Sequence, residues 1–451
     1  MQISKLRPII SAAIAILMIV LCVQTASFAM TPYGQKSQVI WDEFRHQENL
    51  NAVCLGSSLA ARAYNPMIVD KLCGSSSFNM STPAQQPAES YIGLREAIAT
   101  FDIDRVYYGI DYSSFLREAD LYPGRAFENE KWKGDEPFEW VSDLDYMLEG
   151  SGWLFTEKSI NWLFPWTESQ AANGLSGFFR NAMMRIDGTT LIEAAEINER
   201  GWYYYGRGYG NYTTVFDYNG STQTDFADME GLGQNPVCDS QLRHLANMAD
   251  LCAEHDVEFI AFVPALPDFS LISMGYRYNE ISGIIRDTVE RHGGTVYDFN
   301  LAKTAFYHAE ENDFEDYAHY NANGGKRFSE AFAQVLLSSE SNDNPSSWFE
   351  TYEERIESID RISRIRIQEH PFELGSKIEI HCYAGPNVRP EYQVLAKGDN
   401  DAEFQIVRDW SPQSEFDFTP SNRGLYTIRV NARSQGSSEE FERWCESTVQ
   451  I

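Results

Sequence analysis

The sequence is short of positive charge: 36 Lys and Arg stand against 66 Asp and Glu, a formal net charge of −30. That balance excludes sequence-independent binding to nucleic acid, which needs clustered cations to neutralise phosphates. Anionic lipid surfaces are disfavoured for the same reason. Neither Gly-x-Gly-x-x-Gly nor a P-loop occurs, which argues against a nucleotide-binding unit. The seven cysteines and eight histidines show no zinc-site spacing, so no metal and no cofactor is expected. Contact with a membrane is expected only through the first thirty residues.

Core material, by contrast, is plentiful. Hydrophobic residues make up 43% and aromatics 14% of 451 residues, enough for a globular chain of two domains. Residues 1–30 stand apart: Lys5 and Arg7 precede an uncharged run from Pro8 to Met30. The run from Ile9 to Val23 has signal-peptide length, and Ala26-Ser27-Phe28-Ala29 resembles a cleavage site. Counted to Met30, the run is also long enough for an anchor with its positive end inside. Both readings stay open, and both put the remainder outside the cytoplasm. Leu21 is too bulky for a lipid-attachment signal at Cys22. In an oxidising compartment the other six cysteines could pair, Cys382 with Cys445 first among the choices.

After a polar stretch, Thr31 to Asn49, the pattern predicts alternating strands and helices. Asn51 to Leu55 reads as a strand, and Asn65-Pro66 as the start of a helix stopped by Gly74. Ser76 to Met80 is a second strand, a helix starts near Pro87, and Arg105 to Ile110 is a third strand. Such alternation means a parallel α/β sheet with functional loops at the strand C-termini. It lapses from about residue 116 to 235, a stretch holding Trp132, Trp140, Trp153, Trp162, Trp166 and a Gly/Tyr-rich loop from Gly201 to Tyr212. That insertion could stack on sugar rings, although aromatics serve a core more often. The α/β pattern then resumes with a helix over 240–254, a strand over 257–263, a helix over 280–291, a strand over 295–299 and a closing helix over 324–337. Residues 341–376 read as a linker with a short helix. From 377 to 451 short alternating runs predict an all-β sandwich of about immunoglobulin size. With Tyr392, Phe404, Trp410 and Gly424-Leu425-Tyr426, this part resembles the triple-tyrosine type of β-sandwich module.

Two polar loops invite chemistry. Gly56-Ser57-Ser58 ends the first strand, where either serine could simply cap the next helix. Asp316 and His319 share a loop ahead of the closing helix. A hydroxyl needs a base to become nucleophilic, and a histidine base works best when a carboxylate fixes its tautomer. Ser58, His319 and Asp316 supply that set. Gly56-Ser57-Ser58, Phe78-Asn79 with the loop Ser81 to Gln86, and Asp316-Tyr317-Ala318-His319 together resemble the SGNH (GDSL-like) hydrolase superfamily. Within it, the chain is most similar to the envelope-associated branch of D-alanine-transfer proteins and polysaccharide O-acetyltransferases.

The resemblance spans roughly residues 50–115 and 255–340 and implies a three-layer, flavodoxin-like α/β domain over 31–340. It makes Ser58 the nucleophile, His319 the general base and Asp316 its orienting partner. Ser81, Asp111 and Gln85 are the implied oxyanion- and substrate-binding residues. Two positions depart from the family: Ser81 stands for a glycine, and Asp111 for an asparagine whose amide would donate to the oxyanion. A carboxylate there would repel that charge. The expected function is extracytoplasmic, serine-dependent acyl transfer or ester hydrolysis on an envelope polysaccharide or teichoic-acid-like polymer. Its rival is a non-catalytic envelope scaffold or glycan-binding protein whose β-sandwich engages a protein partner.

Overall fold

The computed structural model describes residues 3–30, 33–116, 174–219, 237–340, 345–367, 377–399, 401–419 and 424–450. Trp132, Trp140, Trp153, Trp162 and Trp166 of the expected insertion lie outside the described residues, as do 341–344 of the expected linker. The chain opens with helix α1 (Ile3–Met30), whose side chains are described without a break from Ile10 to Cys22. Among the described residues no helix is long and apolar enough to cross a membrane. Helix α2 (Lys36–Phe44) follows, so part of the stretch expected to be a polar lead-in is structured. Ile40 and Phe44, four apart, share a face and are buried together with Val39 and Trp41.

The next elements are β1 (Ala52–Gly56), α3 (Ser58–Ala63), α4 (Pro66–Cys73), β2 (Ser77–Asn79), α5 (Pro87–Thr100), β3 (Arg105–Gly109) and α6 (Tyr112–Phe115). Helix α4 starts and stops as its residues demand. The Asn65 side chain accepts from the Met67 N–H, Pro66 takes a first-turn position, and Gly74 ends the helix at φ 71°. Further on come α7 (Gly174–Ile186), α8 (Leu191–Asn198) and the hairpin β4 (Trp202–Gly206) with β5 (Tyr209–Tyr212). What read as a Gly/Tyr-rich loop is therefore a hairpin. Its tip needs positive φ at Gly206, Arg207 and Gly208, and the Asn79 N–H donates to the Arg207 carbonyl at 3.0 Å.

The α/β pattern is completed by α9 (Asp239–Glu254), β6 (Glu258–Val263), α10 (Asp268–Met274), α11 (Arg277–Arg291), β7 (Thr295–Asp298) and α12 (Ala322–Glu340). Five parallel strands form one sheet in the order β2-β1-β3-β6-β7. Both faces are covered, as parallel sheets require. Val53 and Leu55 of β1 pack with Leu94, Leu245 and Ile281 on one face. Ala52 and Cys54 point the other way, into a layer with Phe328, Phe332 and Leu336. The strand order reverses direction at β1 and β3, and in such sheets ligands bind beyond the strand C-termini at that reversal. Gly56 and Gly109, the last residues of these two strands, are in register there.

Helix α13 (Tyr352–Glu357) leads into β8 (Ile362–Ile367), β9 (Lys377–Ala384), β10 (Pro390–Gly398), β11 (Gln405–Ser411), β12 (Glu415–Asp417), β13 (Leu425–Ser434) and β14 (Arg443–Gln450). They form a four-stranded sheet, β11-β10-β13-β14, and a three-stranded sheet, β12-β9-β8. Ile365, Ile380, Val394 and Val430 are among the apolar residues of their shared core. One strand escapes the expected boundaries. β8 lies inside the stretch read as linker, where arginines interrupt its isoleucines; yet Arg364 is itself fully buried. β14 lies inside the range expected for the sandwich and completes the first sheet. The expected Cys382–Cys445 bridge is absent. These two sit in different sheets with separate partners: the Cys382 thiol bonds to Tyr392 and the Cys445 thiol to the Ile367 backbone.

Candidate active site

The two serines after Gly56 have different environments. Ser57 is 1% exposed and extended, and its hydroxyl accepts from the Leu59 N–H at 3.3 Å, making it the cap of α3. Ser58 is the first helical residue and is only half-buried. The turn is tight. Gly56 holds φ +140°, and a Cβ there would overlap the Gly109 carbonyl.

The acid–base loop is built from its own backbone. Phe314 and Tyr320 bridge as a miniature antiparallel pair with stacked rings, and the Glu315 N–H donates to the His319 carbonyl at 2.8 Å. Inside this turn the Asp316 carboxylate accepts from the N–H groups of Ala318 (2.9 Å) and His319 (2.8 Å). Its other oxygen lies 2.8 Å from His319 Nδ1. His319 Nε2 is 2.7 Å from Ser58 Oγ. Hydroxyl, imidazole and carboxylate thus form one continuous line from α3 to the loop before α12.

Burial acts to raise the Asp316 carboxyl, but it is outweighed. The hydrogen bond and charge of His319, with the two N–H donors, hold the group below the usual Asp range. A carboxylate kept ionised in this position fixes the proton of the imidazole on Nδ1, leaving Nε2 free to accept from Ser58. Next to it, burial and the charges of Asp316 and Asp111 raise the Tyr317 phenol.

The other three sequence-derived residues surround this line without joining it. Ser81 is fully buried, and its N–H already donates to Asn79 Oδ1 at 3.0 Å. Gln85 accepts from the Gly56 N–H at 2.9 Å and donates to the Met80 carbonyl at 3.3 Å, so it braces the end of β1. Asp111 caps α6, accepting from the N–H (3.0 Å) and hydroxyl (2.7 Å) of Ser113. Ser58 itself occupies the first helical position, where an N–H has no intrahelical acceptor. Sequence reasoning missed Asn79 as an organiser. Its amide donates to the Tyr64 carbonyl at 2.8 Å while its oxygen holds Ser81. It also missed Arg62, for which the four-residue spacing from Ser58 was the available signal. Among the described residues no cluster of three or more His, Cys, Asp or Glu is placed to hold a metal ion.

No known protein family matches the chain, and no curated protein does. Solved structures do. A GDSL-like lipase from Bacteroides thetaiotaomicron is 7% identical, with 68% of this chain and 98% of that one covered at a TM-score of 0.30. A candidate platelet activating factor from Streptococcus pneumonia is 10% identical, with 72% and 99% covered at a TM-score of 0.29. At such identities and scores these likenesses decide nothing about the activity of this chain.

Proposed function

We propose that the protein is a serine-dependent ester hydrolase or acyltransferase. The observation that carries this is the Ser58 Oγ to His319 Nε2 separation of 2.7 Å, with Asp316 2.8 Å from His319 Nδ1. Ser58 Oγ attacks the acyl carbonyl while His319 Nε2 takes its proton, and Asp316 stabilises the imidazolium without being protonated. Collapse of the tetrahedral intermediate expels the alcohol, which leaves with the proton from His319. Water or a sugar hydroxyl then attacks the acyl-Ser58 ester by the same route, giving hydrolysis or transfer. The substrate is proposed to be an acylated envelope polysaccharide or teichoic-acid-like polymer. Support comes from the apolar leader of residues 1–30, which would deliver the chain outside the cytoplasm as an anchored or secreted protein.

A second reading, a non-catalytic scaffold or glycan-binding protein, draws on the oxyanion side. The Ser81 N–H is already engaged and Asp111 presents a carboxylate. A fluorophosphonate probe on the full chain separates the two. The enzyme reading expects labelling that Ser58→Ala abolishes, together with loss of turnover of an acylated polymer. An unlabelled wild-type chain would favour the scaffold.

A further inference from the structure

We infer that Arg62 and Glu315 form a positioning pair that locks the nucleophile-bearing helix to the acid–base loop; this rests on the triad reading above. Arg62 lies on α3 one turn beyond Ser58, and Glu315 immediately precedes Asp316. The Arg62 guanidinium pairs directly with the Glu315 carboxylate, and their side chains are only 13% and 19% exposed. Screening by solvent is therefore weak, and the planar guanidinium remains charged despite its burial.

Both halves of the pair are themselves anchored. The Tyr212 ring lies 4.4 Å from the guanidinium carbon. Its hydroxyl is held by Lys36, which donates at 3.0 Å, and it donates in turn to Glu199 at 2.9 Å. The backbone carbonyl of Arg62 accepts from Asn211 Nδ2 at 3.1 Å. On the other side, the Glu315 N–H donates to the His319 carbonyl, so the residue gripped by Arg62 closes the turn that carries the base. Helix α3 has only six residues, too few to hold itself by propensity. The Ser58–His319 contact thus depends on how α3 and the loop are held together, and this ion pair joins them directly.

Misplacing reacting groups by an ångström costs roughly a hundredfold in rate. Arg62→Met and Glu315→Gln, measured on the full chain, are therefore expected to lower kcat on p-nitrophenyl acetate by about tenfold to a hundredfold. KM should stay within about twofold. Fluorophosphonate labelling of Ser58 should slow by the same factor as kcat. Arg62→Lys should restore part of the rate, and the double variant should be no slower than the slower single one, as for residues acting as one unit. Folded variants that label at the wild-type rate, or losses that multiply in the double variant, would overturn the positioning role alone. An unlabelled wild-type chain would overturn the triad and this role with it. Should Arg62→Met fail to fold, the isosteric Glu315→Gln carries the same test.

Discussion

Ser57 and Ser58 are chemically identical neighbours, and one peptide unit separates a buried helix cap from a hydroxyl bonded to His319. Asp316 owes its role to similar local detail, since two backbone N–H groups and His319 hold its charge. This has a consequence for stability. Its folded pKa is depressed below the unfolded value of about 3.9. The stabilisation it contributes is therefore present above that value and is lost as pH falls through the folded pKa. Wild type is expected to be more stable than Asp316→Asn at pH 7, with the difference shrinking as urea melts are taken down toward pH 3. A difference that stays constant across that range would refute the assignment. At this scale the triad residues were legible in the sequence because a serine after a strand and an Asp-x-x-His loop are local patterns. The duties of Ser81 and Gln85 were not, since a backbone N–H can be known as engaged only when its acceptor is in place.

At the scale of elements, two glycines decide how close α3 comes to the sheet. A Cβ at Gly109 would overlap the Ala60 Cβ on α3, two residues past Ser58. Gly109→Ala should therefore push α3 outward, lowering stability by roughly 1–3 kcal/mol through overpacking and reducing turnover. Ala60→Gly in the same chain should recover activity, although a helical glycine itself costs about 1 kcal/mol. If turnover is unchanged in Gly109→Ala, the close approach does not matter for catalysis. Most sheet strands and their helices were visible as periodicity, because each alternates between two buried faces. Helix α2 and the β4–β5 hairpin escaped. Their apolar residues are spaced by Gln, Asp and Glu or by glycines, and their burial comes from partners distant in sequence.

For the molecule as a whole, the β-sandwich is held to the α/β domain by buried charge. Asp268 of α10 is 5% exposed and pairs with Arg355 at 2.6 Å and Arg361 at 2.9 Å. Glu311 pairs with Arg361 at 3.3 Å and with Arg443 of β14. Arg364 of β8 lies over the rings of Phe216 and Phe269, and the Trp444 N–H donates to Asn219. The segment from Phe216 to Asn219 also touches the loop that holds Asp316 and His319, since the Phe216 N–H donates to the Phe314 carbonyl at 2.8 Å. Removing one partner of a buried pair strands the other, at roughly 3–5 kcal/mol. Asp268→Ala is thus expected to lower the urea midpoint sharply by leaving Arg355 buried without its carboxylate. A change under about 1 kcal/mol would mean the pair is effectively solvated.

The alternating α/β pattern, the late run of β-strands, the apolar run within residues 1–30 and the residues able to act as nucleophile, base and orienting acid were all determined by sequence alone. These are properties of periodicity and of side-chain chemistry, which neighbours along the chain suffice to reveal. Only the tertiary structure could bring Ser58 within 2.7 Å of a histidine 261 positions away. It also assigned Arg62 to Glu315, engaged the Ser81 N–H and left Cys382 and Cys445 unbridged. Those outcomes depend on which groups meet across elements, and that is set by packing.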